Sequence, residues 1–257
     1  MKILVTGASG MLGIQVARIG SQELGRENVV ALTHADMDIT DPLAVKAVLE
    51  SAKPDVIINC AGIVKGRQLT EVQFMRANST GPRILAELAQ ERGMKVLQVS
   101  TDCVFDGSSP QTEQAVPQPA DVYGRSKMWG ELKAPHLTVR LSFVGFGQRG
   151  LLAWFLKQKE VQGYTGAQWN GLTTLWAARK IIKAAQSNNT GVLHLFGEDT
   201  TKYQLLKMAS ETMGLGITVT PANTVHSDFR LRSVYGFNDQ YPAPPLKEQL
   251  MELVRMR

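Results

Sequence analysis

Tyr123 and Lys127 stand four residues apart in Tyr123-Gly124-Arg125-Ser126-Lys127, a spacing that puts both side chains on one face of a helix. Reduction of a carbonyl needs a proton for the oxygen as hydride reaches the carbon, and a phenol can supply it. A free tyrosine titrates at about 10 and exchanges protons poorly near neutral pH. A neighbouring ammonium stabilises the phenolate and lowers that value. The same lysine can also hold a nicotinamide ribose. By itself the pair is common by chance on exposed helices. A second group, Ser100-Thr101-Asp102, follows an apolar run, at the strand end where open α/β sheets bind ligands. A hydroxyl there can orient a carbonyl toward Tyr123.

Hydride must come from a cofactor, and the N-terminus offers a place for one. Gly7-Ala8-Ser9-Gly10-Met11-Leu12-Gly13 directly follows an apolar run and opens an amphipathic one. Glycine permits the tight turn and lets the backbone approach a pyrophosphate, while the helix N-terminus offers unpaired N–H groups and a positive dipole end. The spacing is G-x-x-G-x-x-G, not the commoner G-x-G-x-x-G. The second apolar run ends at Thr33-His34, without the acid that grips the adenosine ribose in NAD enzymes. Thr33 and His34 are therefore candidate partners for a 2′-phosphate. The expected cofactor is NADPH, with NADH as the alternative because Asp36 lies close. Asp38 and Ile39 are candidates for flanking the adenine.

These groups need a scaffold. Apolar runs at 2–5, 29–32, 56–59, 95–99 and 137–141 read as strands buried on both faces. Helical periodicity fills 12–24, 42–51, 69–92 and 122–134, and Asp41-Pro42 supplies an N-cap with proline at the first helical position. Alternation of this kind predicts an α/β fold, a doubly wound parallel (Rossmann) sheet over 1–141. Residues 142–257 read mainly as a small C-terminal substrate-binding lobe, with 175–196 returning to the Rossmann core. Within it, 142–172 reads as a substrate-facing lobe rather than packed sheet, and 220–245 as irregular chain. Helices are expected at 175–187, 200–213 and 246–254, and a strand at 192–196. Asp199-Thr200-Thr201 offers a cap for the second of these helices.

Composition narrows the function classes. The 257 residues are 44% hydrophobic and 20% charged, which excludes disorder as the main state. The net charge of +5 is spread out, apart from Arg255-Met256-Arg257, and lacks the clustered stripe of a nucleic-acid binder. It suits a phosphate-bearing ligand. Cys60 and Cys103 are the two cysteines, and neither they nor the four scattered histidines have metal or disulfide spacing. No apolar run approaches the ~20 residues of a membrane span, and the first residues run straight into a strand. A soluble cytoplasmic protein is the expectation, with neither nucleic acid nor membrane as partner.

Together these motifs resemble dTDP-4-dehydrorhamnose reductase and its relatives among the extended short-chain dehydrogenases. Ser100-Thr101-Asp102-Cys103-Val104-Phe105-Asp106-Gly107 is similar to the family's S-T-D-Y-V-F-x-G, and Pro119 through Glu131 to its P-x-x-x-Y-G-x-[ST]-K-x-x-G-E. Residues 36–41, 54–59 and 78–82 match further segments. The resemblance is specific over 1–145 and thins beyond, where 191–197 matches best. It implies Thr101, Tyr123 and Lys127 as the catalytic trio. For the cofactor it implies Gly7, Ser9, Gly10, Met11, Leu12 and Gly13 at the turn, then Cys60, Ala61, Gly62, Asn78 and Ser100 along the groove. Substrate contacts are expected from Asp102, Cys103, Phe143, Trp169, Asn170 and Arg230. Cys103 stands where the family usually has tyrosine, and Phe143 where tryptophan often sits. Related 4,6-dehydratases carry an acid at position 103, so dehydration is disfavoured.

Several of these residues also have plainer readings. Cys103 fits a small side chain facing substrate better than a nucleophile, and Cys60 closes an apolar strand as a core residue. Trp169 reads equally as an anchor of the lobe. Arg230 and Arg232 suit a diphosphate, or form a solvated surface pair. The function expected is an NADPH-dependent reductase of a nucleotide-diphosphate-linked 4-keto-deoxysugar. An epimerase with tightly held NAD and a non-catalytic dinucleotide-binding regulatory subunit stand as alternatives, and the resemblance implies a homodimer.

Overall fold

Short apolar runs, each covered on two sides, build the centre of the molecule. The computed structural model describes residues 1–65 and 69–256; Arg257 of the basic end lies outside the described residues. Strands β1 (Ile3–Thr6), β2 (Val29–Leu32), β3 (Val56–Asn59), β4 (Lys95–Val99) and β5 (Leu137–Leu141) coincide closely with the expected segments. Further along follow β6 (Phe143–Val144), β7 (Glu160–Trp169), β8 (Leu172–Thr173), β9 (Gly191–Leu195), β10 (Thr200–Thr201) and β11 (Thr218–Asp228). The main sheet has the order β2-β1-β3-β4-β5-β9, and all its strands are parallel. Successive side chains alternate between its faces. Ile3, Val5 and Ile58 join one core cluster, whereas Leu4 and Ile57 join the other.

Helices α1 (Met11–Leu24), α2 (Pro42–Ala52), α3 (Glu71–Met75), α4 (Gly81–Gln90), α5 (Val122–Trp129), α6 (Leu151–Phe155), α7 (Thr174–Gln186), α8 (Lys202–Met213), α9 (Phe237–Gln240) and α10 (Leu246–Arg255) complete the described elements. Val16 of α1 and Ile181 of α7 close one face of the sheet; Leu49 of α2 and Leu85 of α4 close the other. All four are fully buried, each contributing about 1.5–3 kcal/mol of hydrophobic stabilisation. The chain leaves β1 for β2 on one side and enters β3 on the other. That reversal opens a crevice at the carboxyl ends of β1 and β3, where doubly wound sheets take ligands.

Three expectations are corrected. Residues 142–172 are not free of packed sheet, because β7 is the centre of a three-stranded sheet, parallel to β11 and antiparallel to β10. Likewise 220–245 is not wholly irregular, since β11 occupies its start. Both strands evade an apolar-run reading: β11 is largely exposed and carries Pro221, and its register shifts between Ala222 and His226. Finally, the expected helix over 69–92 is broken into α3 and α4 by a π-helical turn at Arg76–Thr80. Thr70 starts that stretch with a capping box to Gln73.

Candidate active site

Asp121 caps α5 by accepting the Gly124 N–H at 2.7 Å, which starts the helix just before Tyr123. Two glycines then let α5 approach its neighbours. A Cβ on Gly124 would lie 2.2 Å from the Cys103 carbonyl oxygen, and one on Gly130 only 1.8 Å from that of Asn78. The first contact seats Tyr123 beside the turn after β4, and the second ends α5 against the π-turn. Asn78 and Ser79 of that turn hold α5 from the side. Asn78 Nδ2 donates to Ser126 Oγ at 3.0 Å, and Ser79 Oγ to the Ser126 carbonyl at 2.7 Å.

The turn after β4 is held as firmly. Glu131 accepts Ser100 Oγ at 2.7 Å and forks with Arg140 through bonds of 2.8 and 2.7 Å, all in a buried setting. Thr101 Oγ1 donates to Asp102 Oδ1 at 3.0 Å and accepts the Cys103 N–H at 3.2 Å. The Tyr123 hydroxyl lies within interaction range of the Thr101 side chain. Thr101 and Tyr123, implied as catalytic partners, thus meet in space.

Burial pushes the Tyr123 phenol above its ordinary range, and the acids Cys103, Asp102 and Asp121 add to this against the Thr101 hydrogen bond. This corrects the expectation that a neighbouring ammonium lowers it: Tyr123 is held as the protonated phenol. Lys127 is buried, and its Nζ donates to the Val99 carbonyl at 2.7 Å. Burial pulls it down to about 8, offset in part by Glu131 and Cys60. Cys60 and Cys103 are both pushed up to about 12 by burial, so neither is a thiolate nucleophile near neutral pH.

The crevice between β1 and β3 holds a cavity of 480 Å³. Its lining comes from three segments: Gly7, Ser9 and Gly10 after β1, His34, Asp38 and Ile39 after β2, and Cys60, Ala61 and Gly62 after β3. Its build fits a dinucleotide. Gly7 has φ +65°, and a Cβ there would sit 2.6 Å from the Ala61 nitrogen. Gly10 caps α1 without a side chain, and the first turn of α1 holds no acid, leaving its N–H groups for an anion. Gly13 lets α1 pack on the turn, since a Cβ would lie 2.1 Å from the Gly7 carbonyl oxygen.

Other expected cofactor residues have different tasks. Leu12 is buried in the core beside α7. Met11 turns its side chain toward Gly147 and Gly150. Thr33 donates Oγ1 to Asp36 at 2.7 Å, which engages the hydroxyl expected to meet a phosphate. Asn78 is buried and clamps Ile63 through both of its amide atoms, at 2.8 and 2.9 Å. Ser100 is held by Glu131. Met37, Thr40, Ile63 and Ala77 line the cavity without having been singled out. The first two lie within the 36–41 match, which is the signal that held them.

Of the residues expected to contact substrate, Asp102 and Cys103 follow Thr101 in the turn after β4. Phe143 is half-buried against the main core. Trp169 is 2% exposed with Nε1 on Ser142 Oγ at 2.8 Å, which makes it an anchor of the lobe. Asn170 is equally buried and exchanges two 2.9 Å hydrogen bonds with the Leu231 backbone, so its amide supports the lobe. Arg230 is bound by Asp228 and Asp199. Lys65, not singled out in the sequence, pairs with Asp121 at 2.6 Å and lies 5.6 Å from the centre of the Tyr123 ring.

Among the described residues no cluster of metal-binding side chains occurs, and no helix is long and apolar enough to cross a membrane. Residues 1–163 match the model of the RmlD substrate binding domain family. A dTDP-4-keto-6-deoxy-D-glucose reductase of Streptomyces niveus is 33% identical over 82% of this chain and 78% of its own. A dTDP-4-dehydrorhamnose reductase of Aggregatibacter actinomycetemcomitans is 32% identical over 77% of this chain and 74% of its own. The crystal structure of a dTDP-4-dehydrorhamnose reductase from Clostridium acetobutylicum superposes with a TM-score of 0.86 at 25% identity, covering 100% of this chain and 99% of that one.

Proposed function

The chain belongs to the RmlD substrate binding domain family, and from that premise we propose that it is an NADPH-dependent reductase of a nucleotide-diphosphate-linked 4-keto-deoxysugar. The observation that carries the reading is that Thr101 and the Tyr123 hydroxyl come together beside the crevice, with Lys127 one helical turn on and its Nζ on the Val99 carbonyl. When bound, NADPH supplies the hydride. Gly7, Ser9 and Gly10 would hold its pyrophosphate, and Asp38 and Ile39 its adenine. Thr101 orients the sugar carbonyl, and Tyr123 gives its proton to the oxygen as charge develops there. A phenol kept protonated by burial suits this direction of reaction. Lys127 places a cation beside the Val99 carbonyl and Gly62, where it favours the transient phenolate and would hold the nicotinamide ribose.

The same reading divides the work along the chain. Residues 1–141 bind cofactor, and 142–257 mainly bind the sugar nucleotide, with 175–196 packed into the Rossmann core. The protein acts in the cytoplasm, as a homodimer. Its test is loss of reduced nicotinamide absorbance with a panel of nucleotide-linked 4-keto-6-deoxy sugars, with NADPH and NADH in parallel. Turnover that collapses by about 10²–10⁴-fold in Tyr123→Phe is expected. Absence of turnover despite tight dinucleotide binding would overturn the reductase reading.

A further inference from the structure

Arginines are the obvious sequence candidates for holding a diphosphate, but here they are already neutralised. Arg230 bonds Asp228 at 2.6 Å and Asp199 at 2.9 Å, and Arg232 bonds Asp199 at 2.6 Å. Their segment packs beside the loop that follows the catalytic turn, through Asp228 N–H to the Gly107 carbonyl and Arg232 N–H to that of Gln111. On the other side of the turn, Lys65 is engaged by Asp121. Lys202 differs from all three. Its Nζ lies 4.5 Å from the centre of the Trp169 ring, and among the described residues it makes no hydrogen bond and no ion pair. The groups that act on it from a distance are Asp102 and Cys103, which places it near the turn that carries Thr101.

Lys202 also breaks the rules of its own helix. It is the first residue of α8, where Thr201 and Gln204 form a capping box. A cation in the first turn opposes the helix dipole. Burial lowers its tendency to carry charge, so the ammonium is disfavoured twice, and only the Trp169 ring face and the distant Asp102 offset this, with no hydrogen-bond acceptor among the described residues. Its position is nevertheless well fixed. The ammonium sits over the Trp169 ring, which is itself locked by Ser142, and Gly163 admits the Tyr203 backbone closely enough that a Cβ would sit 2.7 Å from the Tyr203 Cα. A local conflict held this rigidly is the mark of a functional residue.

We propose that Lys202 is the diphosphate anchor of the substrate, donating to a phosphate oxygen of a nucleoside diphosphate whose sugar reaches Thr101 and Tyr123. This rests on the nucleotide-sugar reading above. It assigns substrate affinity to a residue that takes no part in proton transfer, so its loss falls on KM rather than kcat.

The test uses the full chain and dTDP as probe, by titration calorimetry, with wild type, Lys202→Met and Lys202→Arg. Lys202→Met is expected to weaken dTDP roughly tenfold or more, and Lys202→Arg to recover most of it, at unchanged NADPH affinity. The melting temperature of Lys202→Met should stay close to that of wild type, because the lost ring contact is offset by removal of a charge opposed by burial and the helix dipole. Steady-state assays should show the same factor in KM for the keto-sugar. Unaltered dTDP affinity in Lys202→Met would overturn the proposal, as would a loss confined to kcat or wild type that binds no dTDP. If wild type reduces no keto-sugar yet its dTDP binding depends on Lys202, the reaction fails and the anchor stands.

Discussion

Lys127 Nζ donates to the backbone carbonyl of Val99 at 2.7 Å, which ties the ammonium to the end of β4 directly before Ser100 and Thr101. Helix α5 is thereby bonded to the strand that presents the carbonyl-orienting hydroxyl. Burial pulls the ammonium down to about 8, so it is charged below that pH and neutral above it. Because the charged form favours the phenolate, kcat/KM for NADPH should be level below about pH 8 and fall about tenfold per unit above it. A pH profile of wild type beside Lys127→Met checks this. Persistence of the same alkaline limb in the variant would assign it to another group.

Glu131 links Arg140 of β5 to the turn after β4 through Ser100, and its buried setting makes it costly to alter. Its side chain is 10% exposed and that of Arg140 4%. Removing the charge in Glu131→Gln leaves Arg140 buried without a counter-ion, a loss of about 3–5 kcal/mol. Ser100 loses its anionic acceptor as well, so kcat should fall together with stability. Urea unfolding and steady-state kinetics measure the two effects. An unfolding midpoint equal to wild type would mean that the pair is not a stabilising contact.

The parallel strands were legible because strands covered on both faces must be apolar throughout, as in Val56-Ile57-Ile58. Strand β11 was not, because most of its residues face solvent and Pro221 reads as a strand breaker. The π-turn at Arg76–Thr80 hides in a helical pattern, since one added residue barely disturbs the apolar period. Thr101, Tyr123 and Lys127 could be named from local motifs whose spacing matches one helix and one strand end. Lys65 and Lys202 could not. A single lysine carries no local signal, and its surroundings arise only when distant segments meet. The same limit applies to Asn170, whose amide turns to Leu231, 61 residues away.

Gly130 offers a test of how closely α5 must sit. A Cβ there would fall 1.8 Å from the Asn78 carbonyl oxygen, a backbone atom that cannot swing aside. Gly130→Ala should therefore cost about 1–3 kcal/mol and lower kcat by displacing Tyr123 and Lys127. Gly236 has negative φ and nothing within 4 Å of a built Cβ, so Gly236→Ala should stay within about 0.5 kcal/mol of wild type. Equal melting temperatures for the two variants would show that α5 has room to retreat.

His34 lines the cavity just after β2, which closes without an acid. Thr33 is engaged by Asp36, which leaves His34 as the group of that pair facing the ligand. In His34→Asp a carboxylate would accept from the ribose hydroxyls of NADH and repel the 2′-phosphate of NADPH. A hydrogen bond to a charged group is worth about 1.5–3 kcal/mol, so the preference for NADPH over NADH should shift toward NADH by roughly ten- to a hundredfold. Parallel kcat/KM values for both cofactors give the ratio directly. An unchanged ratio would place the 2′-position away from His34 and move the discrimination to the residues around Thr40 and Arg76, which share a 3.1 Å hydrogen bond.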